Sequence, residues 1–144
     1  MAALAARYGH QADNFQVEPV SFGDLESIAM DNMQEGCIGE TWGALVGLYQ
    51  AKKATDPVIA ETMRCIALEE VEHASLSWAI HDWIVPQLDD QAIERVNKLK
   101  KKALVKLIKK TSVPVDQNHV LLAGLPEVAV ARQLAEKLVQ SLIA

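Results

Sequence analysis

Cysteine, aromatic residues, an excess of basic charge and long apolar runs are all scarce or missing in this 144-residue chain. The two cysteines, Cys37 and Cys65, show no CxxC spacing, which argues against a thiolate zinc site. Their plain reading is a reduced thiol pair in a cytoplasmic protein. No apolar run reaches the roughly 18 residues a membrane span needs. The opening MAALAARYGH lacks the basic start and long apolar core of a signal peptide. A net charge of -5 gives no general affinity for nucleic acid. Aromatics are only 5% of the residues, and strand formers are not dominant, so an all-β fold is disfavoured.

What is abundant is Ala, Leu, Val, Lys, Glu and Gln, with half the residues apolar. That mixture favours helix, and the length fits a single domain over 1–144. The charge is unevenly spread. Arg95 to Lys110 holds eight basic residues and no acidic ones, leaving the rest of the chain at -13. Such a block is commonly a solvated helix face, and it can also dock an acidic partner.

The pattern predicts an all-α chain. An Ala/Leu stretch over the first residues reads as the tail of a helix, followed by a loop to Pro19. Ser21 or Asp24 can cap a long helix over about 22–54, which contains no proline. Asp56-Pro57 is an N-cap followed by a first-turn proline, and it opens a second long helix ending near Pro86. Together these form a long antiparallel hairpin, about 22–85. Two C-terminal helices are expected, about 91–111 behind Asp89-Asp90 and about 126–143, with a loop between them around Pro114, Asp116 and Asn118. Val96, Leu99, Ala103 and Leu107 are the expected buried side of the first. Val128, Ala131, Leu134, Leu138 and Leu142 share a face of the second.

The second long helix carries a regular, mostly apolar stripe, Ile59, Met63, Ile66, Ser77, Ile80 and Ile84, with Glu70 and His73 at stripe positions. A buried carboxylate needs a partner. Glu70 and His73 lie one turn apart on one face, and carboxylate with imidazole suits iron, manganese or zinc. Glu40 lies 16 residues before Asp56, Glu70 lies 14 after it and His73 lies 17 after it. At about 1.5 Å per residue, all three fall roughly 21 to 26 Å from the turn, so an antiparallel hairpin brings them level. The segment around Glu40 also holds Gly36, Gly39, Gly43 and Gly47. Each costs about 1 kcal/mol against alanine in a helix, which points to close approach of a neighbouring helix rather than a kink.

Other ionisable groups fit less well. Glu35 is off level, and Glu69 and Glu72 flank the stripe as surface residues. His81 and Asp82 lie too far along the helix to share an ion with His73, and His10 and His119 fall in loops. Trp42, Trp78 and Trp83 read as core or helix-interface residues. Cys37 and Cys65 sit at different depths, which argues against a disulfide within the hairpin.

The strings Glu35-Gly-Cys37-Ile-Gly-Glu40-Thr41, Asp56-Pro57 and Ile66-Ala67-Leu-Glu-Glu70-Val-Glu-His73-Ala74-Ser-Leu-Ser-Trp78 resemble bacterial ferritin-like domain proteins of the rubrerythrin-related di-iron carboxylate superfamily. Gly124-Leu-Pro126 and the helix after it resemble the C-terminal end of the same proteins. The resemblance implies a ferritin-like four-helix bundle in which Glu40, Glu70 and His73 are metal ligands. It implies two iron ions per completed site, with manganese as an alternative, and ferroxidase or peroxide-reducing activity. No catalytic residue distinct from the ligands is implied. That family's bundle takes a Glu from each of two helices and ExxH from each of the other two, whereas this chain has one of each and resembles the C-terminal half. A homodimer, or a chain carrying the missing half, completes the set. The alternative is a non-catalytic helical interaction module or a degenerate half-bundle without metal.

Overall fold

A computed structural model describes residues 2–11, 16 and 23–143. The expected Ser21 cap, the start near Phe22 and Pro19 lie outside the described residues. Those residues contain helices and connecting turns and no strand: α1 (Ala2–Arg7), α2 (Leu25–Asp31), a π-helical segment (Asn32–Glu40), α3 (Thr41–Lys53), α4 (Pro57–Ile84), α5 (Asp90–Lys110), α6 (Gln117–Ala123) and α7 (Val128–Ile143).

Local chemistry sets the helix starts. The Asp24 side chain accepts from the Ser27 backbone N–H, satisfying one free donor of the first turn. Asp56 does the same for Val58 and Ile59, with Pro57 in the first turn, and Asp89 for Ala92. Pro86 falls in a single 3-10 turn, Val85–Gln87, just beyond α4.

Residues Leu25 to Lys53 are helical throughout, but not as one α-helix. Asn32–Glu40 winds as a π-helix between α2 and α3. Close approach explains the small residues here. A Cβ on Gly36 would lie 2.6 Å from Ser77 Oγ, and one on Gly47 would lie 3.0 Å from Ala67 Cβ. Gly43 faces Glu70. The partners of Gly36, Gly43 and Gly47 run backwards along α4, from Ser77 through Glu70 to Ala67, so α4 packs antiparallel to the π segment and α3.

The seam of α4 differs in detail from its sequence pattern. Ile59, Ala67, Ala74, Ser77 and Ile84 are the buried residues, while Met63, Ile66, Glu70 and Ile80 are half-buried. Gly47 opposite explains Ala67, because a backbone that close leaves space only for Cβ. Trp83 is 63% exposed rather than packed in the core.

Helix α5 lies across the π segment and closes the core of Met33, Cys37, Ile38, Ile84, Val96 and Leu104, which Ala135 and Leu138 of α7 join. Ala92 and Leu104 are buried alongside Val96, Ala103 and Leu107, whereas Leu99 is half-buried. In α7 the buried positions are Ala131, Ala135 and Leu138. The expected loop between the C-terminal helices contains α6, so three helices follow α4 rather than two. Asp116 caps α6 through the Asn118 N–H, and Gly124 ends it at φ 64°, a conformation costly for a residue with a Cβ. The turn at Asp56 is tied down on two sides. Thr55 and Asp56 N–H groups donate to Leu121 and Leu122 carbonyls, and Arg7 and Tyr8 of the N-terminal segment reach the Asp56 carboxylate.

Candidate metal centre

Glu40 closes the π segment, and Glu70 and His73 stand one turn apart on α4. The antiparallel register brings them together: one ligand atom from each lies within 4.8 Å of the others. His73 Nδ1 is 3.5 Å from Glu70 Oε2 and 3.9 Å from Glu40 Oε2, too long for hydrogen bonds. Metal–donor bonds of about 2.0–2.2 Å put donors roughly 3 to 4.4 Å apart around one ion. The two His73 separations lie in that span. Two carboxylates and an imidazole are donors that a transition-metal ion such as iron, manganese or zinc can take.

The Glu40 carboxyl is perturbed by its neighbours. The neighbouring Glu70 side chain, hydrogen-bonding with the protonated form, holds the Glu40 carboxyl above its ordinary range. Desolvation, the Glu70 charge and the more distant Glu35 push the same way, and His73 opposes them. A bound cation would favour the charged form of Glu40.

Burial departs from the sequence reading. The side chains of Glu40 and Glu70 are 35% and 27% exposed, and that of His73 is 59% exposed. The trio sits at the open edge of the antiparallel pair rather than in a closed seam. Gly43 leaves free space beside Glu70, whose nearest atoms are 4.0 Å from an added Cβ.

Positioning groups surround the trio that sequence reasoning did not single out. Asn32 Nδ2 donates to the Ser77 carbonyl at 2.9 Å, and the Cys37 thiol donates to the same oxygen at 3.4 Å. Trp78 Nε1 donates to Thr41 Oγ1 at 3.2 Å, and that hydroxyl donates to the Cys37 carbonyl. These bonds pin the π segment to α4 on either side of Glu40. A polar residue at a helix–helix contact was the available signal, but only the register identifies the partner.

The remaining candidates stay apart from the trio. Glu35 accepts from Gln34, and Glu69, Glu72, Asp82, His10 and His119 are exposed. His81 is half-buried edge-on to Trp78, its Nδ1 buried without a protein partner, and burial lowers its pKa. Cys37 is buried and Cys65 exposed, both as free thiols. Among the described residues no helix is long and apolar enough to cross a membrane. Comparison of the chain with protein-family models, curated proteins and solved structures gives no match.

Proposed function

We propose that this chain is a ferritin-like metal-binding protein in which Glu40, Glu70 and His73 form half of a di-iron site that a second copy completes. The observation that carries this reading is the convergence of three ligands, two carboxylates and an imidazole, from two helices within 4.8 Å, at an edge that is open. Two carboxylates and one imidazole are too few for a pair of ions, whereas a two-fold axis beside His73 supplies the ligand count of a di-iron carboxylate bundle. The surface next to His73 suits a copy of the chain. Val58, Cys65, Leu76 and Trp83, spaced 7, 11 and 7 residues apart, share one face of α4. Leu76 and Trp83 are 61% and 63% exposed, and on the helix His73 lies between this stripe and the buried seam.

Iron held there would supply redox chemistry toward dioxygen or peroxide. The residues of this chain provide the negative charge that draws a cation in and the imidazole that discriminates against calcium and magnesium. The hydrogen bonds through Asn32, Thr41, Ser77 and Trp78 fix the ligand-bearing backbones. Metal analysis of iron-grown protein tests the assignment: Glu70→Ala and His73→Ala each lose the metal, and undiminished iron in both variants would sink it.

A second reading, a non-catalytic interaction module, draws on α5. Lys98, Lys101, Lys102, Lys106 and Lys109 are exposed, and among the described residues none of them forms an ion pair. A strictly monomeric chain that binds no iron would favour that reading.

A further inference from the structure

The outer face of α4 runs from Val58 to Trp83 in steps that alternate four and three residues, with Thr62, Cys65, Glu69, Glu72, Leu76 and Ala79 between. That is the spacing of a helix–helix seam. Val58, Cys65, Leu76, Ala79 and Trp83 are exposed on the single chain.

Such a seam can meet a copy of itself about a two-fold axis in two ways, and the side chains tell them apart. With the helices parallel, each residue meets its own counterpart. Trp83 then abuts the partner's Trp83 while Ala79 and Cys65 face the partner's Ala79 and the partner's Cys65, so the helices are wedged apart at one end and leave gaps elsewhere. With the helices antiparallel about the midpoint between Glu70 and Val71, large residues meet smaller ones. Val58 faces the partner's Trp83, Thr62 the partner's Ala79 and Cys65 the partner's Leu76. The pairs are then more even in volume along the roughly 37 Å from Val58 to Trp83, as close packing requires.

The metal ligands favour the same register. The π segment packs on one flank of α4, where Gly36 meets Ser77, and Glu70 and His73 approach Glu40 on that flank. A two-fold axis parallel to α4 carries the two π segments to opposite faces of the α4 pair and separates the two trios. An axis perpendicular to α4 keeps both π segments on one face, as the two layers of a four-helix bundle. Glu70 then lies half a residue from the axis along the helix and His73 two and a half, both within about 4 Å of its level.

We propose that two copies of this chain associate through α4 in the antiparallel register, which brings both Glu40, Glu70 and His73 trios to one level on one face. The register rests on the dimer proposed above and not on its iron. At the axis Glu69 faces the partner's Glu72, and the symmetry repeats the contact. These four carboxylates oppose association, and the apolar pairs on either side hold the dimer against them.

The test is sedimentation velocity of the metal-free, full-length chain, with mild oxidation and peptide mapping of any interchain disulfide. Wild type should be a dimer without such a bond. Its two Cys65 residues would lie 11 residues apart along the pair, roughly 16 Å, beyond the about 7 Å between Cα atoms that a disulfide spans, and Cys37 is buried. Leu76→Cys should join its introduced thiol to the partner's Cys65. Leu68→Cys, exposed but off the seam, should link at least about tenfold more slowly. Glu69→Gln/Glu72→Gln should lower the dimer dissociation constant about tenfold. A Cys65-to-Cys65 bond in wild type, equal linking by Leu68→Cys and Leu76→Cys, or unchanged association of the glutamine variant would overturn the register, with Glu40, Glu70 and His73 still tested by their iron content. A wild-type monomer would overturn the dimer itself.

Discussion

Alanine in place of glycine should act in opposite directions at two positions only seven residues apart, Gly36 and Gly43. In a helix interior the exchange is favourable by about 1 kcal/mol when nothing opposes it. At Gly43 nothing does, because the nearest atoms, those of the Glu70 carboxylate end, are 4.0 Å from an added Cβ. Gly43→Ala should stabilise the fold by up to about 1 kcal/mol. At Gly36 the added Cβ would lie 2.6 Å from Ser77 Oγ, 2.8 Å from Asn32 Oδ1 and 2.9 Å from Ser77 Cβ. Ser77 is buried, and its carbonyl already accepts from Asn32 and Cys37, so retreat would disturb both bonds. Overpacking of this kind costs roughly 1–3 kcal/mol, which outweighs the gain in propensity. Gly36→Ala should therefore lose up to about 2 kcal/mol, and Gly36→Ala/Ser77→Gly should recover part of it. Urea unfolding of the metal-free protein followed by circular dichroism measures all three variants. Stabilisation by Gly36→Ala, or the same sign and size at both sites, would refute the account of α4 packing directly against the π segment.

Three further outcomes are expected. Gly124→Ala places a Cβ against the backbone nitrogen of Ala54 and 2.9 Å from the Gln50 carbonyl oxygen at a positive φ; the left-handed conformation alone costs about 1–2 kcal/mol, so thermal denaturation should show a larger loss than Gly36→Ala. The hydrogen bond from Tyr8, with those from Ile59, Val58 and Arg7, lowers the Asp56 pKa from 3.8 to about 2, so its stabilisation is present above about pH 4 and is lost as pH falls toward 2; Asp56→Asn should flatten the melting temperature over that window, and an unchanged slope would contradict the clasp. Cys65 is exposed in the single chain while Cys37 is buried, with desolvation raising the Cys37 thiol to about 11, so in a chain kept monomeric by Leu76→Glu and Trp83→Glu a thiol reagent should label Cys65 at once and Cys37 only on unfolding; rapid labelling of both in that folded chain would contradict the burial of the π segment.

Much of the helical framework was legible because short-range chemistry decides it. Asp56-Pro57 and Asp89 mark helix starts through bonds to residues two or three positions on, and the glycines around Glu40 announced a close neighbour before that neighbour was known. The depth match about Asp56 depends only on helical rise, and the geometry brings Glu40, Glu70 and His73 together. The π winding of Asn32–Glu40 was not legible, since glycines at these positions suit an α-turn and a wider turn equally. Helix α6 was hidden because its seven residues bury none of their own and lie between loop-forming residues. The exposure of His73 and Trp83 was missed for a different reason. Periodicity says which residues share a face, and says nothing about whether another element of the same chain covers it. The Arg7 and Tyr8 contacts with Asp56 span nearly 50 residues and leave no local trace.

Native mass spectrometry of the iron-loaded chain tests the central claim most directly, because it reads assembly and metal content in one spectrum. The expected species are a dimer carrying about two iron ions, roughly one per chain, and a metal-free dimer for Glu70→Ala. Substituting Glu for both Leu76 and Trp83 should remove dimer and iron together. A wild-type chain that stays a monomer without iron, or a dimer that keeps its iron after Glu70→Ala, would contradict the shared site.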